Sequence, residues 1–262
     1  MSEHQDKIRQ MAGALLSAYN SGAIAPIREH FAAGDVASAY AIQQIQVAEW
    51  QATGRRPVGR KIGLTNKAVQ AQLGVGEPDY GYLFADMVYG DGDEVPFSRL
   101  QQPRVEAEIA FLLKEDLPYH DASVADVVRA IDWVLPSIEI VGSRIAGWDI
   151  RIVDTIADNA SSGLLALGGP ARRLDGLDLV ECAMSLSVNG KVVSTGRGRD
   201  CLGGPLNAVA WLARRAASFG EPLRAGELIL SGALGPMVGV QAGDRVEASI
   251  DGIGRVGFSL SA

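Results

Sequence analysis

The chain contains few of the residues that build disulfide scaffolds or soft metal sites. Its 262 residues include 2 cysteines, Cys182 and Cys201, and 3 histidines, His4, His30 and His120. The cysteines form no CxxC motif, and a chain of this length does not depend on disulfides for stability, so we expect free thiols in a reducing cytoplasm. So few histidines supply a Ser-His-Asp triad poorly, which disfavours a serine-hydrolase mechanism.

An excess of basic charge and long apolar runs are also missing. The chain has 24 Lys and Arg against 31 Asp and Glu, a formal net charge of −7, and no dense basic run. Because nucleic-acid binding depends on a basic surface, we expect no nucleic-acid partner. No apolar run approaches the roughly 18 residues of a membrane span, and the apolar residues 11–16 form too short a run for a signal peptide. We therefore expect no membrane association.

The order of the apolar segments predicts an α+β fold. Amphipathic segments at residues 6–19 and about 35–53 indicate a helical N-terminal cap over residues 1–55. In residues 56–262, short apolar runs alternate with Gly, Pro and Asp, which is typical of strands. We expect one catalytic domain over residues 1–262, with a closed or rolled sheet in its body. The predicted strands cover residues 58–63, 83–89, 105–113, 134–142, 228–231, 237–240, 246–250 and 256–260.

Two further helices are expected within the β-rich body. The first begins after Ser123, a suitable N-cap, and its apolar residues continue at helical spacing through Ile131 and Val134. The second begins near Pro205, which suits a first turn, and stops at Gly220.

Three glutamates interrupt predicted strands and are the strongest candidates for chemistry. Glu106 and Glu108 lie two residues apart, so their side chains share one face of a strand, and Glu139 interrupts another strand. Ionised carboxylates among apolar residues are costly unless a cation pairs with them, and three oxygen ligands suit a hard divalent ion. The alternative is a solvated strand face, with Glu139 paired to an arginine such as Arg144.

The next candidates are a pair of adjacent cations and an aspartate. Arg60 and Lys61 stand between glycines at the start of the body, and a site for an anionic substrate would need such cations. Adjacent strand residues face opposite ways, so at most one of them serves a given pocket; the alternative is that both are solvated. Asp79 stands in a turn-rich segment, where aspartate is favoured simply for capping the backbone.

Other motifs are less specific. Residues 154–163 form a polar segment whose hydroxyls either bind a ligand or turn the chain. The stretch at residues 196–201 begins like a dinucleotide fingerprint but has Cys201 in place of the third glycine, so we reject that interpretation. Trp133, Trp148 and Trp211 are expected in the core or at interfaces rather than in a binding site.

Five long motifs remain: GRKIGLT (59–65), FADM (84–87), PRVEAEIA (103–110), VGSR (141–144) and ADNAS (157–161). They resemble the hydratase/decarboxylase family of the fumarylacetoacetase superfamily, and within it the 2-hydroxypenta-2,4-dienoate hydratases. The resemblance covers nearly the whole chain. It implies a mixed β-roll or barrel-like body of the fumarylacetoacetase C-terminal type behind the helical cap.

The same resemblance implies a set of site residues. A divalent Mg²⁺ or Mn²⁺ would be held by Glu106, Glu108 and Glu139. The implied pocket-lining residues are Lys61, Asp79 and Ser161. We expect Lys61 to stabilise an enolate or deliver a proton, and Asp79 or one of the glutamates to act as general base.

The resemblance also separates two activities of the family. Residues 201–207 and 231–238 look like the hydratase branch, although Gly204 stands where hydratases carry histidine. We therefore expect a hydro-lyase that hydrates 2-hydroxypenta-2,4-dienoate, a small anionic substrate of aromatic meta-cleavage catabolism. The alternatives are a 2-oxo-3-hexenedioate (4-oxalocrotonate) decarboxylase and a non-catalytic scaffold. Family resemblance further implies a homo-oligomer, with a pathway decarboxylase as a candidate partner.

Overall fold

A computed structural model of the protein describes residues 3–66, 70 and 76–262. Two helices, α1 (Glu3–Ser21) and α2 (Val36–Ala52), form the N-terminal part, as predicted. Asp35 caps α2, because its side chain accepts a hydrogen bond from the backbone N–H of Ser38. Met11 and Leu15 of α1 are buried in the core.

The larger sheet carries most of the candidate residues. Within the described residues it has eight strands in the order β2-β1-β10-β5-β6-β7-β3, with β11 also paired to β5, and it curls into a half-barrel. The longest ladder joins β5 and β6 in antiparallel register. These strands are β1 (Pro57–Gly63), β2 (Asp79–Phe84), β3 (Val88–Gly90), β5 (Arg104–Leu113), β6 (Ile131–Val141), β7 (Leu164–Leu167), β10 (Leu228–Leu230) and β11 (Val238–Gly239).

A second sheet packs against the first. It has five strands within the described residues, in the order β4-β13-β12-β8-β9, and β13 contacts both β6 and β7 of the larger sheet. Val246, Ile250 and Phe258 are buried between the two layers of the core. These strands are β4 (Glu94–Val95), β8 (Ala183–Val188), β9 (Lys191–Arg197), β12 (Arg245–Ile250) and β13 (Gly254–Leu260).

Three more helices pack around the sheets, α3 (Val124–Ala130), α4 (Ile152–Ala157) and α5 (Pro205–Ser218). The prediction that helical structure continues from Ser123 through Val134 was wrong, because the chain changes to strand β6 at Ile131. In the described part of the chain, no helix combines the length and the apolarity needed to cross a membrane.

Some elements were not predicted from the sequence. Asp79 was expected in a turn, but it begins β2 and pairs with Gly63 of β1. The hairpin of β8 and β9 was missed because its strands mix serine with short apolar side chains, although the Asn189-Gly190 pair between them is a characteristic hairpin signal.

Candidate active site

The three glutamates predicted as metal ligands come together on one face of the larger sheet. In the β5–β6 ladder Glu106 lies directly opposite Glu139, and Glu108 follows two residues later on the same face of β5. Each of the three offers a carboxylate oxygen, and these oxygens lie within 4.8 Å of one another. Strand alternation and ladder register are therefore sufficient to assemble the cluster.

The cluster is buried and incompletely paired. Glu108 and Glu139 are buried, and Glu106 is half-buried. Glu108 Oε2 accepts a hydrogen bond from the backbone N–H of Gly232 at 2.8 Å. Within the described residues, no hydrogen-bond donor reaches Glu108 Oε1 or Glu139 Oε2. The solvated-face interpretation was wrong, and so was the pairing of Glu139 with Arg144, whose guanidinium instead bonds Asp158.

The carboxyl groups hold their protons more tightly than usual. Burial, together with the negative charge of Glu139, raises the pKa of Glu106 to about 7, although Lys61 partly counteracts this. Burial and the other two glutamates raise the pKa of Glu108 well above its ordinary range. Burial also raises the pKa of Glu139. Three anions in this space therefore need a further positive charge nearby.

The donor set fits a divalent metal. Three carboxylates supply hard oxygen ligands. Two of their buried oxygens accept no hydrogen bond, and a bound cation would satisfy them instead. Glu106 also lines a cavity, so an ion held there would face the space that a ligand enters.

Lys61 supplies the positive charge next to the glutamates. It lies on β1 between Gly81 of β2 and Leu230 of β10, and its Nζ is 3.2 Å from Glu139 Oε1. Burial by itself would lower the pKa of Lys61, but the carboxylates of Glu139 and Asp79 raise it above its ordinary value. Lys61 therefore remains an ammonium ion inside the protein.

Arg60 has a different role. Its guanidinium lies over the ring of Tyr82 and donates a hydrogen bond to the carbonyl of Glu221 at 2.7 Å. Arg60 is buried, as is Lys61, so the solvated alternative was wrong for both. At most one of the two cations was expected to face a given pocket, and Lys61, but not Arg60, is among the described residues that line the cavity.

Asp79 presents one free oxygen to the same region. It is buried, and its Oδ2 accepts a hydrogen bond from Thr155 Oγ1 at 2.9 Å, whereas no described donor reaches Oδ1. Burial raises the pKa of Asp79, while Lys61 and Thr155 partly oppose that shift. A Cβ at Gly63 would overlap Asp79 Oδ1, so glycine at position 63 leaves room for the carboxylate.

Ser161 belongs to an unusual turn. Asn159, Ala160 and Ser161 all have positive φ angles, 52°, 51° and 52°, a conformation that residues other than glycine rarely adopt in succession. The Asn159 side chain fixes this turn by accepting from the Tyr82 N–H at 2.8 Å and donating to the Tyr82 carbonyl at 3.0 Å. Ser161 Oγ is buried without a hydrogen-bond partner among the described residues, and Ser161 lines the cavity.

The cavity of about 310 Å³ that these residues share has two chemically different ends. Lys61, Asp79, Glu106 and Ser161 form the polar end. Trp148 is half-buried and lines the apolar part, so it does not lie in the core. The apolar side chains of the lining are Ile62, Leu64, Val141, Trp148, Ile150, Ala160, Ala233, Pro236 and Met237.

Gly204 lies away from this cavity. It precedes the first turn of α5, with a φ of 158°, and it is absent from the described lining residues.

Comparison with known proteins agrees with this fold. The profile of the fumarylacetoacetate (FAA) hydrolase C-terminal family matches residues 47–260, and the chain belongs to that family. It is 55% identical over 249 residues to 2-keto-4-pentenoate hydratase 1 of Dechloromonas aromatica (strain RCB). The aligned region covers 94% of this chain and 95% of that protein. The hydratase of the same name from Paraburkholderia xenovorans (strain LB400) is 55% identical over 248 residues and covers 94% and 92%. The predicted resemblance to these hydratases is thus confirmed.

A solved structure of a different enzyme of this fold is also very similar. The 4-oxalocrotonate decarboxylase from Pseudomonas putida G7, complexed with magnesium and adipate, is 33% identical and has a TM-score of 0.94. The similarity covers 99% of both chains. Fold alone therefore does not distinguish a hydratase from a decarboxylase.

Proposed function

We propose that the protein is a hydro-lyase that hydrates 2-hydroxypenta-2,4-dienoate to 4-hydroxy-2-oxopentanoate in the meta-cleavage catabolism of aromatic compounds. The observation that carries this proposal is the group of three convergent carboxylates with unpaired oxygens at the polar end of an otherwise apolar cavity. Relatives named 2-keto-4-pentenoate hydratase, 55% identical over almost the entire chain, support the same substrate class.

Glu106, Glu108 and Glu139 would hold Mg²⁺ or Mn²⁺ in this proposal. Hard oxygen ligands favour such ions over softer metals, and the magnesium complex of the similar decarboxylase supports the choice. When bound, the ion supplies Lewis-acid polarisation of the substrate's C1 carboxylate and C2 oxygen.

The reaction requires two proton transfers to carbon and one water addition. The dienol gains a proton at C5 and loses its C2 hydroxyl proton, which gives the conjugated 2-oxo-3-enoate. Water then adds at C4 and gives a proton to the base, and C3 accepts a proton. Negative charge develops on the C2 oxygen in both stages. Lys61, an ammonium held among buried carboxylates, stabilises that charge or delivers a proton.

Asp79 is our candidate for the base that activates water, with one of the glutamates as the alternative. Its raised pKa and its free Oδ1 suit an acceptor of a proton, and Thr155 holds its other oxygen in place. Ser161 Oγ, which is buried and unpaired, is available to donate a hydrogen bond to the substrate.

The charges that line the cavity favour hydration over decarboxylation of the six-carbon diacid. A second substrate carboxylate would need a second cation, because an unpaired buried carboxylate is costly. Lys61 is the one positively charged side chain among the described residues that line the cavity, and it already pairs with Glu139. A purely scaffolding protein would have no use for this buried charged cluster.

The test follows turnover directly. Purified protein with Mg²⁺ and 2-hydroxypenta-2,4-dienoate should consume the dienol absorbance and form 4-hydroxy-2-oxopentanoate, identified by NMR. Chelation should abolish turnover, and Glu108→Gln should reduce kcat at least about 1,000-fold, because a ligand to the ion is lost. Glu247→Gln is the matched control, since Glu247 is an exposed strand glutamate paired with Arg245.

Two outcomes would overturn the proposal. Turnover that survives chelation would remove the role of the metal. Release of CO₂ from 2-oxo-3-hexenedioate, faster than dienoate hydration, would instead identify a decarboxylase.

The assembly and location of the protein form a separate part of the proposal. We propose a homo-oligomer in a reducing cytoplasm, with a pathway decarboxylase as a candidate partner. Both cysteines, Cys182 and Cys201, are free and buried, which suits a reducing compartment. Gel filtration of the chain alone, and then with the decarboxylase, measures both kinds of assembly.

A further inference from the structure

Arg104 is a cation close to the glutamate cluster, and its charge partly offsets the raised pKa of Glu106. It precedes Glu106 by two residues on β5, so the two share a face and lie about 7 Å apart along the strand. Its guanidinium carbon is 4.6 Å from the ring centroid of Trp148, and its Nη1 is 4.0 Å from Met237 Sδ. In residues 3–66, 70 and 76–262, no carboxylate lies within ion-pair distance of Arg104.

Trp148 contacts this cation and also lines the cavity. The indole lines the cavity together with Met237, whereas Arg104 is absent from the described lining residues. Since Arg104 stacks against the indole at 4.6 Å, the ring covers a positive charge that would otherwise face the ligand space.

The indole is held in one position. Trp148 has a φ of 57° and follows Gly147 with a φ of 65°, an arrangement that a bulky residue adopts only when its surroundings enforce it. Gln102 provides that constraint: its carbonyl accepts from Trp148 Nε1 at 2.9 Å, and its Oε1 accepts from the Gly147 N–H at 2.8 Å. The Gln102 amide in turn donates to the carbonyls of Ser143 and Ile145.

We propose that Trp148 determines substrate specificity by ending the cavity with an apolar wall and by covering Arg104, so that the site accepts 2-oxo acids with a short neutral tail and rejects those with a second carboxylate. The proposal rests on the proposed function, because the acid end of the substrate must be anchored at the glutamates. The distal carbons then extend toward Trp148, Ile150 and Met237, where a charged group would lose its hydration without gaining a cation.

Binding of two inert ligands tests this proposal. The Mg²⁺-loaded protein is titrated calorimetrically with 2-oxohexanoate and with 2-oxohexanedioate, which differ only by the terminal carboxylate and lack the double bond needed for turnover. The wild type should bind the monoacid at least about tenfold more tightly. Trp148→Ala should shift this ratio at least about tenfold toward the diacid, and Arg104→Gln in the Trp148→Ala background should remove the gain.

Trp133→Ala is the matched control. Trp133 also stacks with an arginine, Arg173, at 3.9 Å, but neither residue lines the described cavity. The preference for monoacid over diacid should therefore stay at the wild-type value in this variant. Trp148→Leu, which keeps an apolar side chain of smaller size, is measured in the same way and should shift the ratio in the same direction even if Trp148→Ala does not fold.

The proposal is overturned if a folded Trp148 variant keeps the wild-type ratio, or if the gain for the diacid survives Arg104→Gln. Because neither probe is turned over, this result is independent of hydration. A changed binding ratio without any dienoate turnover would leave the specificity role intact and would count against the proposed function alone.

Discussion

Four charged side chains, Lys61, Glu106, Glu108 and Glu139, form one buried electrostatic unit. Burial raises the pKa of all three carboxyl groups, the charge of Glu139 adds to the shift in Glu106 and Glu108, and the ammonium of Lys61 partly compensates. Loss of Lys61 would leave these carboxylates without their compensating charge, which is far more costly than loss of an exposed ion pair. The four side chains therefore act as one group, and a change in one alters the others.

Gly63→Ala tests how tightly Asp79 is positioned. The new Cβ would overlap Asp79 Oδ1 and reach contact distance, 3.4 Å, from Lys61 Nζ, so the Asp79 carboxylate must move. We expect kcat for the dienoate to fall at least about 100-fold, because small displacements of reacting groups are costly. Circular dichroism should show a folded protein, since Gly63 has no positive φ that alanine would resist.

Gly13→Ala is the control for this substitution. Gly13 lies within α1, and a Cβ there would meet no atom within 4 Å. Alanine should raise the free energy of unfolding by about 0.5–1 kcal/mol through its helix propensity and leave kcat unchanged. A Gly63→Ala enzyme with wild-type kcat would show that Asp79 is not held where catalysis needs it.

The turn from Asn159 to Ser161 is the element that presents Ser161 to the cavity. It is anchored to β2 through Tyr82 and to the loop after β6, where the Gly142 N–H donates to the Ser161 carbonyl at 3.0 Å. Position 81 requires glycine, because a Cβ there would collide with the Asn159 carbonyl. Strain in the turn is thus offset by contacts from two neighbouring elements.

Asn159→Ala should disturb both stability and activity. The substitution leaves the buried N–H and carbonyl of Tyr82 without their partners, which should lower the free energy of unfolding in urea by at least about 2 kcal/mol. We also expect kcat to fall, because Ser161 is no longer fixed. Asn189→Ala is the control, since Asn189 also has a positive φ of 52° but lies in an exposed hairpin. Unchanged kcat in the Asn159 variant would separate the turn from catalysis.

Metal binding at the three glutamates should be coupled to the protonation of their carboxyl groups. The pKa of Glu106 is raised to about 7 in the metal-free protein, so the folded state keeps a proton that the unfolded chain has already lost at lower pH. The stability of the metal-free protein should therefore decrease as pH rises from the ordinary carboxylate range toward 7. A metal ion must displace these protons, so its affinity should rise over the same interval.

Calorimetry with and without Mg²⁺ checks this coupling. The increase in Tm caused by Mg²⁺ should be larger at pH 8 than at pH 5.5, and titration with Mg²⁺ near pH 6.5 should release protons, seen as a dependence of the heat on the buffer. Glu247→Gln should keep the wild-type response, because Glu247 is exposed. An equal Mg²⁺-induced shift in Tm at both pH values would contradict the coupling.

Local patterns were enough for several elements and for part of the site. Helices α1 and α2, the strands around Glu106 and Glu139, and the helix after Pro205 follow from the spacing of apolar residues, which nearby residues alone decide. The same rule places Glu106 and Glu108 on one face and assigns only one of Arg60 and Lys61 to the cavity. It failed after Ala130, where helical spacing continues but sheet pairing with β5 determines the structure.

The sequence by itself determined which residues are available for chemistry: an acidic pair on one strand, a third glutamate on another, and a lysine among glycines. Only the tertiary structure decided that Glu139 lies opposite Glu106, that Lys61 reaches them from β1, and that Trp148 covers Arg104. The reason is that strand register and the curl of the sheet depend on contacts between segments far apart in the chain, which no local pattern encodes.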